Sequence, residues 1–569
     1  MSRAVLFLFV IANSMVYAQY NQASGNVWVF GDGVKVDFNT TPPQVQTGFN
    51  ASTLESCASI ADCDGNLLFY TNGNQVFNRN QNLMLNGDYL MGDSSSTNGS
   101  LITPVLGNND QYYLFTMDGI SCGATDNFDG LHYSVIDISL DFGNGSVLVN
   151  EKNVFLTDSV GEKIVAIMHE NRRDYWVIVR KHFVNEMYAY LVTPNGIDPT
   201  PIISVVNNDY DLFGGVGEMV ANRQGNKIAE AVTHSTNPSS MTSGILLYDF
   251  DSRTGVVSNS VLHQGALSSH RIFYGCAFSP DDTKLYFGVT DIMNNLLRIR
   301  FDDLDNWTPI TTPTTILDTF ILQSPLPMIG GFKLGSDDMV YFTTYMWGAH
   351  SGYLHAICDP NNSSNPDLRL NYIDLGGQNS MVGLPHTYIH NYQSYEDIAG
   401  FDQFDVCLGD EVSLGCTECF YYPINYAWKP IDLVYNHEDS VTNSLPIQSD
   451  TIFILEMYSP CGEVINRDTA LVNTLDCDFP DIYIPSAFSP NSDGANDVFY
   501  VRGSDLAHFE LKIYDRYGVL VYESNDMSAY WDGTYKDKNL SSQVFIYSLD
   551  IESLAGHKEK YKGDLTLIR

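Results

Sequence analysis

Between residues 26 and 396 the chain repeats one pattern: a few apolar residues, a polar turn, then a run rich in aromatic and β-branched side chains. Six copies are plain. They are Cys63-Asp64-Gly65-Asn66-Leu67-Leu68-Phe69-Tyr70, Asn109-Asp110-Gln111-Tyr112-Tyr113-Leu114-Phe115, Asn171-Arg172-Arg173-Asp174-Tyr175-Trp176-Val177, Arg223-Gln224-Gly225-Asn226-Lys227-Ile228-Ala229, Pro280-Asp281-Asp282-Thr283-Lys284-Leu285-Tyr286-Phe287 and Ser336-Asp337-Asp338-Met339-Val340-Tyr341-Phe342. Such turns between strand-forming runs predict hairpins. With Phe69, Leu114, Trp176, Ile228, Tyr286 and Tyr341 as equivalent positions, the spacings are 45, 62, 52, 58 and 55 residues. A period of about 50 that holds several strands predicts a β-propeller. Some copies continue into an outer pair, as in Leu246 to Phe250, the turn Arg253-Thr254-Gly255, and Val256 to Leu262, which makes four strands per unit. A further unit assembles from Val382 to Tyr392 with Val27 to Phe30 and Val34 to Phe38, joining the ends of the region and removing open sheet edges. The expectation is about seven blades, with six or eight left open by the uneven spacing. Two β-sandwiches also give short strands between turns, but they do not require six similar hairpins in tandem.

The pattern changes near Gly400. Asp405 to Leu414, Ala427-Trp428-Lys429-Pro430 and Thr451 to Met457 read as strands of a compact sandwich, with Cys407, Trp428 and Cys461 in the order of an Ig-like core. The module resembles the Ig-like or polycystic-kidney-disease-type modules of bacterial surface proteins, which implies a spacer. The expected organisation is 1–18 signal peptide, 19–396 propeller, 397–477 Ig-like module and 478–569 a second sandwich.

Met1 to Ala18 opens with one basic residue, Arg3, runs apolar from Ala4 to Ala12 and closes on Val16-Tyr17-Ala18. This reads as a secretory signal peptide with Gln19 as the first mature residue. No later stretch reaches ~18 uninterrupted apolar residues, so no transmembrane span is expected.

Composition strengthens the all-β reading. Of 569 residues 44% are apolar and only 17% charged, with 35 Tyr, 30 Phe and 44 Gly, a balance that suits half-buried strands and tight turns. The 68 acidic against 29 basic residues give a net charge of −39, which repels phosphate backbones and removes nucleic acid from the partners. Export permits disulfides among the ten cysteines. Cys57 with Cys63, on either side of a turn, and Cys407 with Cys461, bracketing the Ig-like module, are the expected pairs. Cys416-Thr417-Glu418-Cys419 lacks the second CxxC or His pair of a zinc site, so a disulfide or unrelated thiols are favoured there.

The last ~90 residues carry four motifs in order: Ile484 to Phe499 around Ser489-Pro490-Asn491-Ser492-Asp493-Gly494-Ala495-Asn496-Asp497, then Leu511 to Tyr522, Trp531-Asp532-Gly533, and Tyr561 to Arg569. This segment resembles the gliding-motility-associated C-terminal domain, the type B sorting domain of the Bacteroidota type IX secretion system. Its motif positions here are Pro490, Asn491, Asp493, Gly494, Asn496, Asp497, Tyr514, Arg516, Gly518, Trp531, Asp532, Gly533, Lys562 and Gly563. Ser492 stands where the family usually has Gly. The resemblance implies passage through the periplasm, recognition by the type IX machinery, and residence at the outer-membrane surface or outside the cell. The N-terminal region, with Asn26-Val27-Trp28-Val29-Phe30-Gly31 and Ser59 to Tyr70, resembles the large N-terminal parts of such sorted proteins.

Candidate chemistry is sparse. Asn491, Asp493, Asn496 and Asp497 put several oxygens in one tight loop, as Ca2+ prefers, but the bidentate acid of an EF-hand is missing and an Asx turn is favoured. No cofactor is otherwise expected. His386 and His390 have the i, i+4 spacing of a helical metal pair, but on a strand their rings stand ~13 Å apart. His350 and His355 face opposite ways. No GxSxG, Walker loop, HExxH or GxGxxG after a strand occurs. Propeller enzymes assemble acids and bases from separate blades, so a site built from Glu218, His234, Arg271 or Asp291 leaves no motif. The expected function is a non-enzymatic exported surface protein whose propeller binds a glycan or protein ligand in adhesion or gliding. The alternative is a secreted hydrolase of glycans or peptides.

Overall fold

The structure, a computed structural model, describes residues 23–569 apart from 121–129, 172, 183, 207–214, 233–243, 264–270, 292–295, 305–314, 322–326, 347–350, 387, 389–400, 416–424, 459–463, 476–481, 504–505 and 554–557. The expected signal peptide lies outside the described residues. The chain divides into two compact units: Met1–Glu396 with Glu418–Asn425 and Met457–Asn466, and the rest of Asp397–Arg569. Both are built of β-strands.

Along the described part of the first unit, seven antiparallel sheets follow one another. Their first strands are Val27–Phe30, Ala58–Ala61, Ser100–Pro104, Val160–Met168, Met219–Ala221, Arg271–Ile272 with Cys276–Phe278, and Pro327–Leu334. The six hairpins of the sequence repeat join first to second strands in the second to seventh sheets. Successive first strands touch from the first sheet to the seventh. All four positions of Val27–Phe30 and of Ala58–Ala61 are buried, whereas the outermost strand Leu368–Asp374 is mostly exposed. Strands covered on both faces need continuous apolar runs, and rim strands do not.

The aromatic doublets of the repeat explain how the ring holds. Successive side chains of a strand point to opposite faces, so each second strand feeds two neighbouring cores. Phe342 packs with Tyr286 and Ile299 between the sixth and seventh sheets, while Tyr341 packs with Trp28 and Phe38 between the seventh and first. Phe287 and Tyr286 divide in the same way, as do Phe115 and Leu114. The fourth and fifth sheets share Trp176, Ile228 and Tyr248, and the first and second share Val29, Tyr70 and Phe77. Every consecutive pair thus buries its own cluster, and the last pair joins the seventh sheet to the first. The unit is a closed β-propeller. Each such aromatic or aliphatic side chain contributes roughly 1.5–3 kcal/mol by leaving water.

Closure differs from the expectation in one respect. Val27–Phe30, Asp32–Asp37 and Gln44–Ser52 form a sheet by themselves, and the described residues of 382–388 form no strand. Instead the segment runs along the axis. Asn379 O accepts Asp32 N, Val382 N donates to Leu54 O, and Val382 O accepts Gly331 N. His386 N donates to Cys57 O and Tyr388 N to Ile102 O. Val382 also packs with Tyr274, Tyr345 and Val216, and the Tyr388 ring lies 5.2 Å from Tyr175. Only a chain on the axis can reach all seven sheets. Its peptide groups are satisfied by several different strands, so no regular ladder forms. Inner strands approach closely where they begin: a Cβ at Gly275 would stand 2.3 Å from Gly330 O.

Residues 401–475 form a four-stranded sheet in the order Phe401–Cys407, Val464–Leu475, Thr451–Tyr458, Asn425–Lys429, with the first pair parallel. Trp428 is buried and its indole donates to Asp439 O at 2.9 Å. The C-terminal sheet has five strands in the order Ala487–Phe488, Lys558–Leu567, Gln543–Ser553, Leu506–Tyr514, Leu520–Ser524. Phe488, Phe499, Leu511, Ile513, Trp531, Phe545 and Leu565 fill its core.

Candidate functional site

Two regions hold the chemistry of the chain, and the C-terminal one is built from turns. Asp497 Oδ1 accepts the N–H groups of Asn491 and Ser492 at 2.9 and 2.6 Å, and its Oδ2 accepts Gly494 N at 2.8 Å. Asp493 Oδ1 accepts Ala495 N, while Asn491 Oδ1 accepts Asp493 N. Ser492 and Asn496 sit at φ +63° and +54° within this knot. The acid oxygens are aimed at the loop's own backbone, the arrangement of an Asx turn. Pro490 leads into it.

The second motif is a hairpin between Leu506–Tyr514 and Leu520–Ser524. Asp515 Oδ1 accepts Tyr517 N and Val519 N, both at 2.9 Å, and Gly518 takes φ +80°. The Arg516 guanidinium lies 4.8 Å from the Tyr517 ring, and Tyr517 is exposed. Trp531 anchors the third motif. It is 2% exposed, meets Phe545 edge-on at 4.9 Å, and exchanges backbone bonds with Phe499. Asp532 Oδ1 accepts Thr534 N, and Gly533 turns the chain at φ +79°. In the last motif Gly563 lies opposite Tyr547, whose hydroxyl a Cβ would meet at 2.5 Å, and Lys562 is exposed opposite Ser548. Tyr514 stands at the end of the hairpin's first strand, paired with Leu520.

Several expected residues stand elsewhere than expected. Cys57 is a free, buried thiol, and burial pushes it up to about 12. It faces the core between the seventh and first sheets. Cys63 is disulfide-bonded, so the Cys57–Cys63 pair does not form. The reason is extension: Ala58–Ala61 is a strand, and six residues at ~3.3 Å each far exceed the reach of a disulfide. Cys407 is disulfide-bonded, while Cys461, Cys416 and Cys419 lie outside the described residues. His386 belongs to the axial segment rather than a strand. Its Nδ1 is 3.3 Å from Asn98 Nδ2, and burial, with Lys333 adding, lowers it to about 3. His355 is buried between Thr344 and Asn371 N. His350, His390 and His234 lie outside the described residues. Arg271 pairs in the backbone with Asp291, which is buried.

The second region is the end of the ring where the inner strands begin. Glu162 Oε2 accepts Thr97 N and Thr97 Oγ1, both at 2.8 Å, and its Oε1 accepts Ile120 N at 2.6 Å, tying the fourth sheet to the third. Glu218 Oε2 accepts Cys276 N and Phe332 N at 3.2 and 3.0 Å, tying the fifth to the sixth and seventh. Lys163, fully buried, donates to Gly217 O and to Ala231 O, and its Nζ is 3.8 Å from Glu230. Glu55, half-buried, reaches Thr97 Oγ1 at 3.4 Å. Burial raises Glu218 to about 8. Burial and the neighbouring Glu162 raise Glu55 to about 8, and burial raises Glu162. Burial also lowers Lys333 to about 8. Of these, Glu218 alone is singled out from the sequence. Glu162 carries no motif of its own, though Gly161-Glu162 and Gly217-Glu218 stand at the starts of consecutive inner strands, a repeat within the repeat.

The fold defines a class: an all-β protein with a propeller and a C-terminal β-sandwich. Residues 482–567 match the CHU_C Type IX secretion signal domain. The chain therefore carries a type IX sorting signal, is handled by the type IX machinery, and is exported to the cell surface or the extracellular space. No curated protein matches. Among solved structures, the chain is similar to a candidate 6-phosphogluconolactonase of Bacteroides uniformis, at 12% identity and TM-score 0.36, over 63% of this chain and 98% of that one. It is also similar to Kuenenia stuttgartiensis hydrazine synthase, at 10% identity and TM-score 0.32, over 58% and 95%. A third is a GH43_1 enzyme of Xanthomonas citri, at 11% and 0.26, over 43% and 80%. Among the described residues no helix is long and apolar enough to cross a membrane.

Proposed function

We propose that this is a type IX cargo whose propeller is a binding head for a glycan or protein at the cell surface, in adhesion or gliding, with the Ig-like module of 397–477 as its spacer. The observation that carries the reading is the pairing of a terminal sorting domain with a closed ring of sheets, a scaffold whose connecting loops are the usual place for binding. A signal peptide over 1–18 takes the chain to the periplasm first. Deleting Asp478 to Arg569 leaves the head folded and held in the periplasm. Fractionation of the native host checks this, and surface display of the truncated chain would sink it.

The second reading, a secreted hydrolase, draws support from Glu55 and Glu162, two carboxyl groups on one threonine hydroxyl at the mouth of the ring. One acid kept protonated beside another that is ionised is the pairing that glycoside hydrolysis uses. A screen of glycans and peptides with the full chain decides between the readings. Turnover that disappears in Glu55→Gln establishes the hydrolase.

A further inference from the structure

We propose that the mouth of the ring binds a primary ammonium group, received by Glu55 with Thr97 and Tyr274 beside Glu162. The inference rests on the reading of the propeller as a binding head and names the chemistry it takes. Glu55 precedes the inner strand of the second sheet, Thr97 that of the third, and Tyr274 that of the sixth, while Glu162 opens that of the fourth. All four stand at the same end of the ring.

Close hydrogen-bond donors are few there. Thr97 has a single hydroxyl proton, which goes to Glu162 at 2.8 Å, while Gly217 N donates to the same oxygen at 3.3 Å. Glu55, 3.4 Å away, has only this long contact and the Tyr274 hydroxyl beside it. Tyr274 is 2% exposed, and its hydroxyl makes no hydrogen bond of normal geometry although it lies against Glu55 and Thr97. Glu162 and Asp93 add negative potential at Glu55, and among the described residues no lysine or arginine is paired with it. Lys163 is engaged with Glu230 and three carbonyls of the fifth sheet.

Without a ligand, Glu55 satisfies this site by keeping a proton. An ammonium group brings three N–H donors and a positive charge, supplying what Glu55 and the Tyr274 oxygen lack, and displaces that proton to solvent. The chain's net charge of −39 concentrates such cations around it. A bare metal ion finds no cluster of three acid, His or Cys ligands among the described residues.

The test is calorimetric titration of the full chain with n-butylammonium chloride at pH 7, with tetramethylammonium chloride as the control that has charge but no N–H. Expected are saturable binding of butylammonium, release of about one proton shown by buffer-dependent heat, and weakening of about tenfold or more in Glu55→Gln. Tyr274→Phe weakens it less and keeps the fold. Glucosamine and Nα-acetyllysine amide, run alongside, tell a sugar-borne from a peptide-borne ammonium. Absence of saturable heat, equal binding by tetramethylammonium, or unchanged binding in both variants overturns the proposal. A head that captures glycans or proteins yet binds no amine defeats this inference alone and leaves the binding-head reading standing.

Discussion

The ring and the sorting domain spend the same side chains in opposite ways. In the terminal sandwich Asp493, Asp497, Asp515 and Asp532 are bonded to N–H groups two to six residues away and remain in water. In the ring Glu162 and Glu218 are buried and bond to backbone on other sheets, as far as 114 residues along the chain. A carboxylate that caps its own turn costs little to keep charged, and its hydrogen bonds hold Asp493 below the usual range. A carboxyl that fastens sheets gives up its water, and burial pushes it upward. Short-range use makes a motif, whereas long-range use makes a scaffold.

The largest expected effect breaks the comparison directly. Glu162→Ala leaves the N–H groups of Thr97 and Ile120 without partners inside the ring and destabilises it by about 3 kcal/mol. Differential scanning calorimetry of the full chain should lower the propeller transition and leave that of the sorting sandwich in place; a joint shift would tie the two units together.

Next in size is a pH effect. Glu55 and Glu218 titrate at about 8 in the fold against 4.5 ordinarily, so the unfolded chain ionises first. Their contribution is complete below pH 4.5 and drains away as pH rises to 8. His182 and His355, lowered by burial to about 4, and His386, at about 3, act in the other direction, but only as pH falls below 6.5. Lys333 is constant below 8. Between pH 6.5 and 8 neither these histidines nor Lys333 opposes the two acids, and Glu218 costs the ring up to about 2 kcal/mol, with less from the partly solvated Glu55. Asp493, lowered from 3.8, changes only in stronger acid, so the sorting sandwich is flat across this window. A ring that melts equally at the two pH values refutes the contrast.

The smallest effect sharpens it. Asp497→Ala frees three N–H groups that water can reach, and the cost is about 1 kcal/mol. Chelator leaves the melting of the wild-type sandwich unchanged if the turn works by its own hydrogen bonds. A stabilisation by added Ca2+ that Asp497→Ala abolishes would restore the metal reading.

What could be read beforehand follows the same division. The six hairpins and the tail motifs were legible because turn residues act within a few positions of themselves. Cys57 and Cys63 are close in sequence but not in space, because the intervening strand stretches the chain. Val382 to Tyr392 has the apolar composition of a strand, but the peptide groups of Val382, His386 and Tyr388 are shared out among several sheets, which no periodicity reports. Glu55 became part of a site only when the second, third, fourth and sixth sheets met, a coincidence that closing the ring alone creates.

The axial segment carries one more consequence. Residues 379–388 are among the last of the head to be made, yet they lie where every sheet converges. Without that segment, inner-strand carbonyls such as those of Leu54 and Cys57 lose the N–H groups of Val382 and His386. The keystone is thus laid last, immediately before the passage that leads to the export signal, so a ribosome releasing that signal has already supplied what locks the cargo.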